Sequence, residues 1–325
     1  ADMDAVLERD EAEGELHRAL ADAREGRGGI ALVSGEAGIG KTTLVRVFLE
    51  RAAGRPSVLF GACDPTASPR PFGPLIDAAT EVDPRLASRL ASGLSRAETF
   101  GAALDLVDND GVTVFVLEDL HWADEATLDL FTFLGRRLVD RRVLLVATYR
   151  SDEVDAGHPL RIRIGDLHAG VTSRTQLEPL SGRAVASLAE PSTLDPTTIH
   201  RITKGNPFFV TEILATGTAA PGEVPTTIRD AVMSRASRLS PEARHVLDSA
   251  SIAPGSIDPW LLDMIVGDDA SAGLDQCVER GLLRLRPRGE SEFRPDLARS
   301  AVEASVPVAR RRRLPARARQ ALAHT

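Results

Sequence analysis

Nine residues, Gly35-Glu-Ala-Gly-Ile-Gly-Lys-Thr-Thr43, stand between a short apolar run, Ile30–Val33, and an amphipathic stretch from Thr42 to Ala53. The glycines let the backbone take torsions that other residues adopt only at a cost, so the chain can turn sharply and turn its N–H groups inward. Four apolar residues without alternation read as a strand buried on both faces, the kind that parallel sheets use. A buried strand that passes through a glycine loop into a helix is the start of a strand–helix–strand unit, and it constrains the N-terminal part of the chain toward an α/β layer.

The rest of the first half fits that layer. Leu16, Ala19, Leu20 and Ala23 share one helical face ahead of the first strand, and Gly26, Gly28 and Gly29 end that helix. Val58–Cys63 reads as a second strand, residues 64–74 as a Pro-rich loop, and Leu75–Asp108 as helical. Val112–Leu120 reads as a buried strand that ends in acids, 124–139 as a helix, 141–150 as a fourth strand and 171–180 as a fifth. Alternating strands and helices predict a doubly wound, mostly parallel sheet over 1–180. Beyond Leu180 the strand signal fades: Ser181–Gly217 looks helical, and Val224–Val266 holds several short helices. Gly281–Pro295 then reads as a hairpin around a Pro/Gly turn, with a helix over Asp296–Val306. Helices followed by a hairpin predict a helical domain at 181–224 and a winged-helix domain at 225–310. Residues 311–325 read as the start of a helical region cut from a longer chain.

The loop carries chemistry as well as shape. Gly35, four residues, then Gly40-Lys41-Thr42 is the spacing of a phosphate cradle of the Walker A kind. Backbone N–H groups over Gly35, Glu36, Ala37, Gly38, Ile39 and Gly40 can cup phosphates. Lys41 can reach the β- and γ-phosphates, the Thr42 hydroxyl can ligate Mg²⁺, and Thr43 continues into a helix whose positive end faces the anion. The expected ligand is ATP or ADP with Mg²⁺.

Four apolar residues, Val114–Leu117, lead into Glu118-Asp119, the arrangement in which one carboxylate holds the metal and its neighbour polarises the attacking water. Glu118 is placed on the metal and Asp119 on the water, and the two roles can be exchanged. His121 next to Trp122 reads as a structural histidine rather than a base. Asp124 reads as a helix cap. Thr148 and Arg150, at the end of the fourth strand, fall where a polar group and a cation can sense the γ-phosphate.

Composition narrows the alternatives. Lys and Arg number 39 against 47 Asp and Glu, for a net charge of −8, which argues against a dominant nucleic-acid surface. One Tyr and two Trp leave little for base-stacking platforms. Two cysteines form no metal spacing or disulfide framework and fit a reducing cytoplasm. No apolar run approaches the roughly 18 residues of a membrane span, so no membrane partner is expected. Arg310–Arg313 reads as a solvated helix face.

The stretches VSGEAGIGKTTL, VLEDLHWADEATLDLF, LLVATYR, LEPLS, GNPFFVTEIL and VPTTIRDAVMSRASRLSPEARHVLDSAS follow one another in this order. Together, over about Leu7 to Ala323, they resemble the STAND-type P-loop ATPase module of large LuxR-family transcriptional regulators, similar to the maltose-regulator group. They also resemble the same module in nucleotide cyclase and protein kinase fusions. The resemblance implies an AAA-related core, a helical domain and a winged helix folded around the nucleotide. It places Arg9, in Leu7–Glu11, at the adenine pocket, with Glu8 where the family usually has glycine. It places Pro207 of Gly205-Asn206-Pro207 against adenine. Pro295 stands where relatives often have a histidine that touches the ADP phosphate, and Pro315 stands where a helix is expected. The implied function is a slow ATPase acting as a signalling switch, with a small-molecule or protein inducer and self-association in the ATP state. DNA contact would come only through regions absent from this chain. The competing expectation is a productive P-loop ATPase. A transporter ATPase, a helicase or a small-molecule kinase each lacks its own marks here; PLSGRAV, for instance, only half resembles the transporter signature.

Overall fold

The computed structural model describes residues 7–64, 70–108, 111–217, 224–253, 256–267, 269–286, 289–293 and 296–307. Pro295, Arg310–Arg313 and Pro315 lie outside the described residues. The chain divides into two compact units, Ala1–Glu36 with Gly40–Glu178, and Ala37–Ile39 with Pro179–Thr325.

The first unit runs α1 (Asp10–Arg24), β1 (Gly29–Gly35), α2 (Lys41–Arg51), β2 (Ser57–Ala62), α3 (Gly73–Val82), α4 (Pro84–Ala91), α5 (Arg96–Val107), β3 (Thr113–Glu118), α6 (Glu125–Gly135), β4 (Val143–Arg150), α7 (Pro159–Gly165) and β5 (Thr172–Gln176). The five strands form one sheet in the order β2-β3-β4-β1-β5, and every pairing is parallel. The expected parallel α/β layer is therefore present. Its interior strands are sealed on both faces: Ile30–Val33, Val114–Leu117 and Val143–Ala147 are all at most 2% exposed. Phe115 on β3 and Phe131 on α6 belong to the same apolar core, together with Leu75 and Ala79 on α3. Burying a side chain of this size contributes about 1.5–3 kcal/mol, which outweighs the modest β-propensity of any one residue. The edge strand β5 is different, since its residues Thr-Ser-Arg-Thr-Gln are half-buried or exposed. It is held by backbone pairing to β1, from Ile30↔Thr172 to Ser34↔Gln176.

Local signals set the helix boundaries. Ser95 and Glu98 form a reciprocal capping box that starts α5. Asp83 accepts from the Arg85 and Leu86 N–H groups to start α4, and Asp124 accepts from Thr127 N–H to start α6. Gly61 allows α3 to lie directly on β2, because a Cβ there would stand 2.1 Å from the Pro74 carbonyl oxygen. Parallel pairing brings the C-terminal ends of β1, β3 and β4 to one edge of the sheet, where open α/β folds place their ligands.

The second unit contains α8 (Gly182–Ala189), α9 (Pro196–Thr203), α10 (Pro207–Thr216), α11 (Thr226–Ala236), α12 (Pro241–Ala250), β6 (Ser256–Ile257), α13 (Pro259–Val266), α14 (Ser271–Glu279), β7 (Leu283–Leu285), β8 (Ser291–Phe293) and α15 (Asp296–Ser305). Helices α9, α10 and α12 share one start: an Asp, Asn or Ser cap followed by proline in the first turn. The expected hairpin is β7–β8, antiparallel with Leu283↔Phe293 and Leu285↔Ser291. A two-residue strand, β6, adds antiparallel to β8 and makes a three-stranded sheet. Helices α12 and α14 meet through small residues; the Cys277 thiol reaches the Ala243 carbonyl at 3.3 Å. Among the described residues, no helix is long and apolar enough to cross a membrane.

Candidate functional site

β1 ends at Gly35 and α2 begins at Lys41, so the glycine loop fills the gap between them. Gly38 and Gly40 take φ values of 76° and 98°, a region that favours glycine. Gly40 occupies the N-cap of α2 and supplies no side-chain acceptor, which leaves the first N–H groups of that helix available to an anion. Lys41 is buried, and its Nζ donates to the carbonyls of Gly35 at 2.9 Å and Glu36 at 3.0 Å. Burial lowers its pKa to about 8, with Asp119 the first of the charges that oppose the drop. Within the loop Ala37 and Ile39 are buried, Glu36 is half-buried and Gly38 is exposed. Thr42 is half-buried and Thr43 is exposed on the first turn of α2.

The acidic pair lies at the end of β3, with one correction to the sequence reading. The strand does not continue to Leu120. It stops at Glu118, and Asp119 turns left-handed at φ 51° and ψ 44° into a 3-10 turn, Leu120–Trp122. The Asp119 N–H donates to Thr148 Oγ1 at 3.0 Å, and Thr148 itself is 1% exposed on β4. A residue in that torsion region persists only where its surroundings hold it, and Thr148 supplies one such hold. The strict alternation of strand neighbours therefore ends at Glu118, and Asp119 belongs to the turn.

The Glu118 carboxyl pKa is raised by burial, against a hydrogen bond with Thr42 that works the other way. Its Oε1 is buried without a hydrogen-bond partner. Asp119 is also raised by burial, opposed by Arg150 and Lys41. A buried carboxylate oxygen with no partner, beside a threonine hydroxyl, is the donor set that a hard divalent cation takes. Among the described residues no group of three or more His, Cys, Asp or Glu could hold a metal ion.

His121, in the 3-10 turn, has no side-chain exposure. Its Nδ1 accepts from the Arg150 N–H at 3.4 Å. Burial, then the nearby Arg150 and Lys41, push its pKa down to about 2. Burial thus favours the neutral ring, and a proton on Nε2 leaves Nδ1 to accept from Arg150. The Arg150 guanidinium pairs with Glu153 and lies 4.5 Å from the centre of the Trp122 ring.

Arg9 is buried, and it donates to the carbonyls of Glu8 at 3.0 Å and Glu178 at 2.8 Å. Glu8 takes φ 56°, a backbone region that favours glycine. In the second unit Pro207 is the first residue of α10, capped by Asn206, whose Oδ1 accepts from Phe208 N–H at 3.2 Å. That unit also includes Ala37–Ile39. There Asn206 Nδ2 donates to the Ala37 carbonyl at 2.9 Å, and Phe208 N–H donates to the Gly38 carbonyl at 3.2 Å.

Of the residues singled out in the sequence, Lys41, Thr42, Glu118, Asp119, Thr148 and Arg150 gather at one edge of the first unit's sheet. Gly35 is in register with Arg150, and Ala147 with Leu117. Sequence reasoning missed Glu153, Trp122 and Asn206 as partners of these groups. Asn206 alone carried a signal, as a cap residue directly ahead of proline.

Residues 5–146 match the family model described as AAA ATPase domain. The chain is 27% identical over 334 residues to an uncharacterized protein of Rhizobium meliloti (strain 1021), covering 82% of this chain and 32% of that protein. It thus spans about a third of the length of that curated relative. Among solved structures, the Walker-type ATPase PABY2304 of Pyrococcus abyssi superposes with a TM-score of 0.61 at 14% identity, over 91% of this chain and 96% of that one. The Aeropyrum pernix Orc1 protein, solved in complex with DNA, superposes with a TM-score of 0.53 at 17% identity, over 94% and 95%. At such identities the likeness shows the fold. The chain carries an ATPase-type P-loop domain on a mostly parallel α/β sheet.

Proposed function

We propose that the chain is a nucleotide-operated signalling switch, the regulatory module of a larger transcriptional regulator of the LuxR type. The observation that carries this reading is the gathering of Lys41, Thr42, Glu118, Asp119, Thr148 and Arg150 at the ends of β1, α2, β3 and β4. Lys41 and the loop N–H groups bind the phosphates of ATP or ADP. Thr42 and Glu118 hold Mg²⁺, which when bound screens the phosphate charge. Asp119, held by Thr148, orients the attacking water and takes its proton in a slow hydrolysis. Arg150 meets the third phosphate and so distinguishes ATP from ADP.

In this reading residues 225–310 act as a winged-helix domain, and Arg9 lines the adenine pocket. The ADP form is closed and inactive, and the ATP form, favoured by an inducer, opens and self-associates. Full conversion between two such forms needs about 5.5 kcal/mol of differential affinity. The length of the Rhizobium meliloti relative supports a larger whole, in which separate regions carry the DNA-binding and effector parts. A cyclase or kinase fusion uses the same module in the same way.

Denaturing the purified protein and chromatographing what it releases tests the proposal. Near-stoichiometric ADP is the expected result. No released nucleotide, together with turnover well above about 1 s⁻¹, would replace the switch with a productive ATPase.

A further inference from the structure

We propose that Glu153 is a positioning residue that holds Arg150 back, and that it sets how strongly the site prefers a nucleoside triphosphate over a diphosphate. The inference rests on the reading above in which Arg150 meets the third phosphate.

Arg150 closes β4, and Glu153 follows three residues later on the loop. Both side chains are largely buried, Arg150 at 17% exposure and Glu153 at 11%. The two carboxylate oxygens of Glu153 are divided between different partners. Oε1 accepts from Arg150 Nη1 in an ion pair. Oε2 accepts from Trp122 Nε1 at 3.2 Å and lies 3.7 Å from His121 Nε2. The guanidinium thus has one edge on a carboxylate and one face toward the indole, 4.5 Å from its centre. His121 fixes the other end of this arrangement by accepting the Arg150 backbone N–H.

The chemistry of the clamp determines its effect. A guanidinium paired with a buried carboxylate is largely neutralised, so its attraction for a further phosphate is weakened. The carboxylate also adds negative charge beside the place where Arg150 would receive the third phosphate. Removing the charge while keeping the shape therefore frees Arg150. Glutamine does this, and its amide oxygen can still accept from Trp122. No comparable restraint faces a diphosphate, because Lys41 and the loop N–H groups hold the first two phosphates without Arg150.

The experiment compares ADP with a non-hydrolysable ATP analogue by titration calorimetry, in the parent, Glu153→Gln, Arg150→Ala and the double variant. A second readout uses Trp260→Phe, which removes an exposed indole and leaves Trp122 as the sole tryptophan reporter of the chain. The proposal expects Glu153→Gln to raise the ratio of the ADP Kd to the analogue Kd about tenfold, an ordinary size for coupling between two interactions. It expects Arg150→Ala to lower that ratio, and Glu153→Gln to have no further effect in that background. It also expects the analogue, but not ADP, to change Trp122 emission as the guanidinium leaves the ring.

A ratio that is unchanged or lowered in Glu153→Gln, with Arg150→Ala still lowering it, overturns the role of Glu153 and leaves the Arg150 reading standing. A parental ratio in Arg150→Ala overturns both. If Glu153→Gln does not fold, Trp122→Phe serves in its place. It removes the N–H that anchors Glu153, and an unchanged ratio there overturns the proposal equally.

Discussion

Two buried carboxylates, one in each sheet, have opposite surroundings. Glu292 lies in the middle of β8, 7% exposed, and is paired with both Arg284 and Arg286 of its own hairpin. Glu118 ends β3, 9% exposed, with one oxygen that meets no hydrogen-bond donor. The first is a satisfied group that ties a hairpin together. The second is a stability cost retained at a strand end, where three apolar strands break into polar residues together. A buried polar group with its partners supplied points to structure, and one without them points to a ligand.

One pair of substitutions sharpens or breaks this contrast. Glu292→Gln should destabilise by about 1.5–3 kcal/mol in denaturant unfolding, since two arginines lose a charged partner. Glu118→Gln should cost no stability, and it should remove the Mg²⁺ dependence of nucleotide binding. Equal losses of stability at the two sites would erase the distinction.

A smaller effect, about 1–3 kcal/mol, is expected from glycines that lie against backbone. An added Cβ at Gly61, or at the left-handed Gly205, would stand 2.1 Å from a carbonyl oxygen, that of Pro74 or of Leu180. Each unit carries its own reporter, because Cys63 and Cys277 are both buried and burial pushes both thiols up to about 12. Neither should react with thiol reagents at pH 8 in the native protein. Gly61→Ala should speed labelling of Cys63 more than that of Cys277, and Gly205→Ala should do the reverse. Identical acceleration of both thiols by either variant would mean that the two units do not open separately.

Much of the first sheet was legible because its interior strands are continuous apolar runs, which burial on two faces requires. The glycine loop was legible because its torsions restrict the residue types. β5 is shorter than its sequence pattern, Thr172–Gln176 against 171–180, because an edge strand of Thr, Ser, Arg and Gln is held by the backbone of β1 rather than by its own side chains. β6, two residues long, carries no periodicity to detect. The left-handed turn at Asp119 depends on Thr148, 29 residues away, and so does not appear in local sequence. Glu153 is similar: three residues from Arg150 it looks like surface charge, and only Trp122, 31 residues back, gives it a role.

The central claim is that the edge formed by β1, β3 and β4 binds nucleotide through the glycine loop and its lysine. Calorimetric titration of parent and Lys41→Ala with ADP and Mg²⁺, on protein stripped of nucleotide, tests it most directly. The account predicts saturable one-to-one binding by the parent and a loss of at least about 100-fold in the variant, with its unfolding transition intact. Equal affinity in the two proteins would contradict it.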